Sequence, residues 1–272
     1  MKVTEEEVKG RWIELKDRAV FRLTGPDRVR YLNGQVTNDV SKPLREVALP
    51  ACVCSRKGKV EFLVWITEQE DSLLIDGQLD QREELFERLD RYLIADDCEL
   101  LDETGAHRLV HHFHEIKTGI TSRRLSIQGQ DLWLEPGAEV PFDSKDEVET
   151  EEWELLKIRS LVPEAPWEIT GSELPAELRL DEWAVDFHKG CYLGQEVVSR
   201  IESVGKVKRK LSLISAEIPF RQNSALRNSS GTEIQSTRDA KENSKGDFLS
   251  LALLSTQGNQ VHSDDFQRVV RY

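Results

Sequence analysis

The 272-residue chain has 37 basic and 50 acidic side chains, a formal charge of −13, and 38% hydrophobic residues. The hydrophobic share is ample for the packed cores of one large or two to three small domains, and the acidic balance argues against a scaffold that binds nucleic acid by neutralising phosphates, which usually carries a basic excess or a basic face; the densest basic run is Lys206, Lys208, Arg209 and Lys210. No apolar run approaches the roughly 18 residues of a membrane span. The opening Met1-Lys2-Val3-Thr4-Glu5-Glu6-Glu7 is neither a secretory nor a transit peptide, and four scattered cysteines make no disulfide framework, so the expectation is a cytoplasmic protein with reduced thiols, no membrane contact and no direct nucleic-acid partner.

Arg18 to Leu23 reads as a strand. Thr24-Gly25-Pro26-Asp27 then opens a helix with proline just inside, Gly34 ends it, and Val29, Tyr31 and Leu32 face the core. Val47 to Ser55, Val60 to Thr67 and Ser72 to Asp76 form a meander of strands, broken at Arg56-Lys57-Gly58 and at Glu68 to Asp71. A helix capped by Asp80 follows, with Leu85, Leu89 and Tyr92 on one face. Cys98 to Leu101 and Leu109 to Phe113 are further strands, and the whole first half has an α+β pattern. Strand alternation sets His112 and His114 on one face and His111 on the other, as surface or strand-edge histidines. Cys52 and Cys54 form a C-x-C without a second ligand pair, so no metal site is assigned.

Acidic residues crowd Pro141 to Glu154 as a linker into a helix from about Thr150 to Ser160. Leu155 and Ile158 mark one face of that helix, and Trp153 and Leu156 an adjoining one. Pro163 to Asp181 is rich in proline and glycine, so tertiary contacts or a ligand must set its conformation. It leads into Lys189-Gly190-Cys191-Tyr192-Leu193-Gly194-Gln195-Glu196, running on to Arg200 and Gly205. Here a cysteine sits beside a lysine and ahead of a helix N-terminus, two influences that favour a thiolate. Gly190 and Gly194 allow tight turning, and Glu196 and Arg200 are spaced for an intrahelical pair. Strands at Val207 to Ser215, Phe248 to Leu254 and Val261 to Tyr272 close the chain, with Asn223 to Gly246 as one long mobile loop.

This string, with Gly25-Pro26-Asp27…Tyr31-Leu32-x-Gly34-Gln35-x-Thr37-x-Asp39-Val40 and Cys54-x-x-Lys57-Gly58-Lys59, resembles the signatures of the YgfZ family of folate-binding proteins. These are relatives of the aminomethyltransferase (T-protein) of the glycine cleavage system and assist iron-sulfur enzymes. The resemblance spans roughly Arg18 to Leu211. It implies an α+β folate-binding fold, antiparallel sheets with helices in a ring around a central channel, plus a small C-terminal β-barrel-like domain. The implied parts are residues 1–140, an N-terminal folate-binding region, 141–204, which completes that core, and 205–272, the β-domain.

Carried over residue by residue, the resemblance makes Cys191 the functional thiol with Lys189 beside it, and assigns tetrahydrofolate or a folate derivative to Glu177, Tyr192, Gln195 and Arg209. Glu177 would read the pterin edge, since a carboxylate accepts two hydrogen bonds side by side. Gly190, Gly194, Glu196 and Arg200 shape the motif. The implied partners are iron-sulfur proteins or assembly factors, with any effect on a tRNA-modifying iron-sulfur enzyme an indirect one. One departure matters: in the T-protein a glycine turn precedes a pair of aspartates, and here the stretch reads Lys57-Gly58-Lys59-Val60-Glu61-Phe62. Its absence weighs against the second reading, a tetrahydrofolate-dependent aminomethyl or methyl transferase. A docking protein without folate is the third.

Overall fold

The computed structural model describes residues 2–228, 233–256 and 266–271. The first half builds strands β1 (Trp12–Glu14), β2 (Arg18–Thr24), β3 (Val47–Cys54), β4 (Val60–Gln69), β5 (Ser72–Gln78), β6 (Glu99–Asp102), β7 (Arg108–His112), β8 (Ile120–Ser122) and β9 (Gly129–Leu134). They form one nine-stranded sheet in the order β1-β7-β9-β8-β3-β4-β5-β2-β6. Its pairs are antiparallel except β3 with β8, where Val47 and Ala48 lie beside Thr121 and Ser122. Helices α1 (Glu5–Val8), α2 (Arg28–Gln35) and α3 (Arg82–Asp90) fall in the same half.

Strand β4 is continuously apolar from Phe62 to Ile66 because both of its faces are covered there. Phe62, Val64 and Ile66 join Phe21, Ile75, Tyr31, Leu32, Leu85 and Leu89 beneath α2 and α3. Leu63 and Trp65 point the other way, into a cluster with Leu178, Leu180 and Ala184 from the segment that precedes the cysteine motif. Helix α4 (Thr150–Arg159) divides its two faces in the same manner. Trp153 and Leu156 pack with Ile13, Leu109 and Phe113, while Ile158 packs with Leu211, Leu213, Leu249 and Leu251.

Those last residues belong to a second, six-stranded sheet of β10 (Arg209–Ala216), β11 (Ala225–Asn228), β12 (Glu233–Gln235), β13 (Lys241–Glu242), β14 (Phe248–Ser255) and β15 (Phe266–Arg271), ordered β12-β11-β15-β10-β14-β13. Three short strands therefore lie within the stretch expected to be one long loop. Of the expected last strand, 261–265 and Tyr272 lie outside the described residues. Helix α2 also runs through Gly34 to Gln35, and Asp80 falls in a short 3₁₀ turn ahead of α3 without capping it.

Buried charges tie the layers together. Arg124 reaches Asp76 at 2.8 Å and Asp131 at 2.6 Å, Arg18 also pairs with Asp76 at 2.7 Å, and His111 meets Asp131 at 2.8 Å. His111 is thus no surface histidine: it is fully buried. Lys157 and Arg238 share Glu164 at 2.6 and 3.0 Å. Among Leu63, Trp65, Arg124, Trp153 and Lys157 the space left is about 30 Å³, room for a water but not for a pterin. No helix among the described residues is long and apolar enough to cross a membrane.

Candidate functional site

The three stretches singled out in the sequence meet at one place. Two glycines with left-handed backbone, Gly58 (φ +68°) in the β3–β4 turn and Gly194 (φ +88°) at the start of α5 (Gln195–Val204), lie against each other. A Cβ on Gly194 would stand 2.4 Å from the Ser55 carbonyl oxygen and 3.0 Å from Gly58 Cα, and one on Gly58 would stand 2.9 Å from Val197 Cβ. Only glycine allows both the φ angles and the contact. The motif helix is thereby seated on the turn.

Lys189 joins the first stretch to this seat. Its Nζ donates to the carbonyl oxygens of Asn33 (2.8 Å), Val36 (2.8 Å) and Asn38 (2.7 Å), matching the three donors of an ammonium to the carbonyls at and beyond the end of α2. Burial pushes its pKa down to about 8, with Asp39 and Asp186 opposing. The Leu193 amide donates to Gly34 O (3.1 Å) and the Asp186 amide to Thr37 O (3.0 Å). Buried Thr37 donates its hydroxyl to Ala184 O (2.6 Å) and accepts from the Cys52 amide (2.8 Å).

Sequence reasoning missed Arg88. It donates to Cys54 O (2.9 Å), Gln35 Oε1 (3.1 Å) and Glu61 Oε2 (3.0 Å), linking the first two stretches from α3. The signal was an arginine on the apolar stripe of Leu85, Leu89 and Tyr92.

Cys191 is exposed, whereas Cys52 and Cys54 are buried and Cys98 is half-buried. Burial pushes the Cys52 thiol up to about 12 and Cys54 well above its usual range. The lysine expected to assist Cys191 is engaged by three carbonyls, and the thiol precedes the helix cap by three residues. Tyr192 is buried under the Lys189 ammonium, 5.3 Å from its ring centroid, with its hydroxyl lacking a partner among the described residues and its pKa raised by burial. Gln195 reaches back to Gly190 O at 3.5 Å. Glu196 and Arg200 are both exposed, and no ion pair joins them among the described residues, so the expected intrahelical pair does not form.

Glu177 and Arg209 do come together, but on each other. Arg209 Nε lies 3.1 Å from Glu177 Oε1 and Nη2 lies 3.1 Å from Glu173 Oε1, while Glu177 Oε2 accepts the Leu174 amide at 2.9 Å. Both oxygens of Glu177 thus have protein partners. Arg209 lines a cavity of about 610 Å³ with Trp167 and Glu173, while Glu177, Tyr192 and Gln195 do not line it. The four residues expected to hold folate therefore do not converge on one cavity. A second space of about 450 Å³ lies against α5 and includes Asp181, which the sequence marked only as the end of the segment before the motif.

No family model matches the chain. It is 24% identical over 277 aligned positions to the "tRNA-modifying protein YgfZ" of Colwellia psychrerythraea (strain 34H), covering 91% of this chain and 85% of that protein. To the protein of the same name from Escherichia coli O17:K52:H18 it is 28% identical over 233 positions, covering 75% and 71%. The solved structure of glycine cleavage system aminomethyltransferase T from Bartonella henselae superposes with a TM-score of 0.75 at 13% identity, over 92% of this chain and 80% of that one. The chain resembles the YgfZ proteins in sequence over most of its length and has the α+β fold of the aminomethyltransferase.

Proposed function

We propose that this protein is a tetrahydrofolate-binding accessory factor for iron-sulfur cluster assembly or repair, with iron-sulfur proteins or assembly factors as partners. Its effect on tRNA modification, the activity named for its relatives, passes through an iron-sulfur enzyme. The observation that carries the reading is the convergence of the three motif stretches around Lys189 and Gly194, which presents Cys191 at the surface of a tightly held turn. A thiol so placed is accessible to a partner protein.

The transferase reading is disfavoured by Glu61. It stands where the resemblance expects the aspartate pair, and Arg88 binds it at 3.0 Å as part of the scaffold. Titration of the protein with tetrahydrofolate and its one-carbon derivatives tests the proposal. Binding without turnover is expected; turnover would promote the transferase, and no binding would leave a docking protein.

A further inference from the structure

Helix α5 carries unneutralised basic residues from end to end. Arg56 and Lys57 stand beside Gly58 in the turn on which the helix is seated, Arg200 follows by three residues the Val197 that Gly58 approaches, and Lys206 and Lys208 lie just past the C-terminal end, about 15 Å along for a ten-residue helix. All five are exposed, and none has an ion pair among the described residues. Their basic neighbours are engaged: Lys59 faces Glu177 at 3.9 Å, Arg209 holds Glu173 and Glu177 at 3.1 Å each, and Lys210 holds Glu182 at 3.0 Å. Glu196 and Glu202 are the exposed acids on the helix. Five cations against two acids, in a chain of net charge −13, make a local field opposite in sign to that of the molecule. Three chain segments build this strip, which separates it from a solvated run along one strand.

The 450 Å³ cavity lies within the strip. Phe187, Val198, Ile201 and Val207 give it apolar walls, and exposed Glu202 and Lys206 stand on its rim. Asp181 and Lys210 also border it, the first with one carboxyl oxygen shielded from solvent and the second engaged by Glu182, so the open part of the space is mainly apolar. An apolar recess ringed by charge is the anatomy of a protein interface, in which a large side chain fills the recess and the rim sets orientation and register.

We propose that the α5 face is a docking surface for an acidic segment of a partner protein, which seats one large apolar side chain in the cavity and lays its carboxylates along the strip. The inference rests on the accessory reading above for its setting, and it names the kind of surface that the protein partner must present beside Cys191. A nucleic acid fits less well on two grounds. Single strands need exposed aromatic platforms as well as cations, and every aromatic side chain among the described residues is buried or half-buried. A polyanion longer than the strip would also run onto an acidic molecule.

The test is fluorescence anisotropy of a labelled peptide of about twelve residues, glutamate and aspartate except for one central leucine, titrated with the full-length protein. Wild type is compared with Lys206→Glu/Lys208→Glu on the strip and with Lys16→Glu/Lys117→Glu, exposed lysines elsewhere whose reversal changes the net charge by the same amount. A second peptide with serine in place of leucine probes the cavity without altering the protein. The strip pair is expected to weaken binding about tenfold or more and the control pair less than about twofold, with both variants melting as wild type does. The serine peptide should bind about fivefold or more weakly, and wild-type binding should fall as salt rises from about 50 to 200 mM.

Equal losses for the two pairs, or equal binding of the two peptides, would overturn the surface as a specific dock. Oligouridine of the same length that binds through the strip where the peptide does not would put a nucleic acid in the partner's place. No peptide binding up to about 1 mM overturns the surface and leaves the accessory reading to the tetrahydrofolate titration. Strip-dependent peptide binding by a protein that binds no tetrahydrofolate keeps the surface and removes the folate.

Discussion

Lys189 shows how one side chain can hold a turn together from the far side of the chain. Lys189→Met keeps the aliphatic stem but leaves three carbonyls without their donor in a buried place, and a loss of about 1–3 kcal/mol is expected, read as a lower denaturant midpoint with an unchanged slope. His111 supplies a pH-dependent counterpart. Burial lowers its pKa and Asp131 opposes, so it is neutral in the fold and donates from Nδ1 to Asp131. Burial also opposes ionisation of Asp131, but Arg124 and His111 outweigh it and hold the carboxyl at about 2. Both folded values lie below the unfolded ones, so both contributions are complete above pH 6.5. That of His111 is lost first as the pH falls from there, and that of Asp131 between about 4 and 2. Chemical denaturation at a series of pH values should show the first decline in wild type and not in His111→Asn. These roles were hidden because a lysine or histidine reads the same in sequence whether its partner is solvent or a carbonyl far along the chain.

At the scale of elements, the long periodic segments were legible. Strands β2 to β5 and helices α3 and α4 lie where alternation and helical spacing put them, since each has one or two faces against a core. Strands β1, β8 and β12, of three residues each, are too short for a period to register. Strand β12, Glu233-Ile234-Gln235, buries only its middle side chain, which is why a polar stretch was read as loop. The motif helix gives the sharpest element-level test, because its two glycines differ in surroundings. A Cβ on Gly194 collides with the β3–β4 turn at left-handed φ, whereas one on Gly190 meets nothing within 4 Å. Gly194→Ala should therefore cost more than the 1–2 kcal/mol of the backbone conformation alone and raise hydrogen exchange in α5. Gly190→Ala should stay within about 0.5 kcal/mol of wild type.

Across the whole molecule, residues 33–38, 52–58 and 186–197 become neighbours through contacts that no local pattern encodes, so the resemblance could name the motifs but not their meeting point. The same assembly sets the four thiols apart. The Cys52 amide donates to Thr37, Cys54 lies in the sheet with its own carbonyl held by Arg88, and Cys98 is half-covered, while Cys191 alone among the four is exposed. An alkylating reagent added to the native protein should label Cys191 first and Cys98 more slowly, and should reach Cys52 and Cys54 only on unfolding, with peptide mass mapping as the readout. Because Cys191 makes no packing contribution that its removal would forfeit, Cys191→Ala should melt with wild type and bind folate as wild type does if the folate reading holds. If the thiol serves iron-sulfur partners, the same variant should fail to restore iron-sulfur enzyme activity in cells lacking the protein. Full restoration would take the thiol out of the mechanism and leave the glycine-locked turn as the part that a partner recognises.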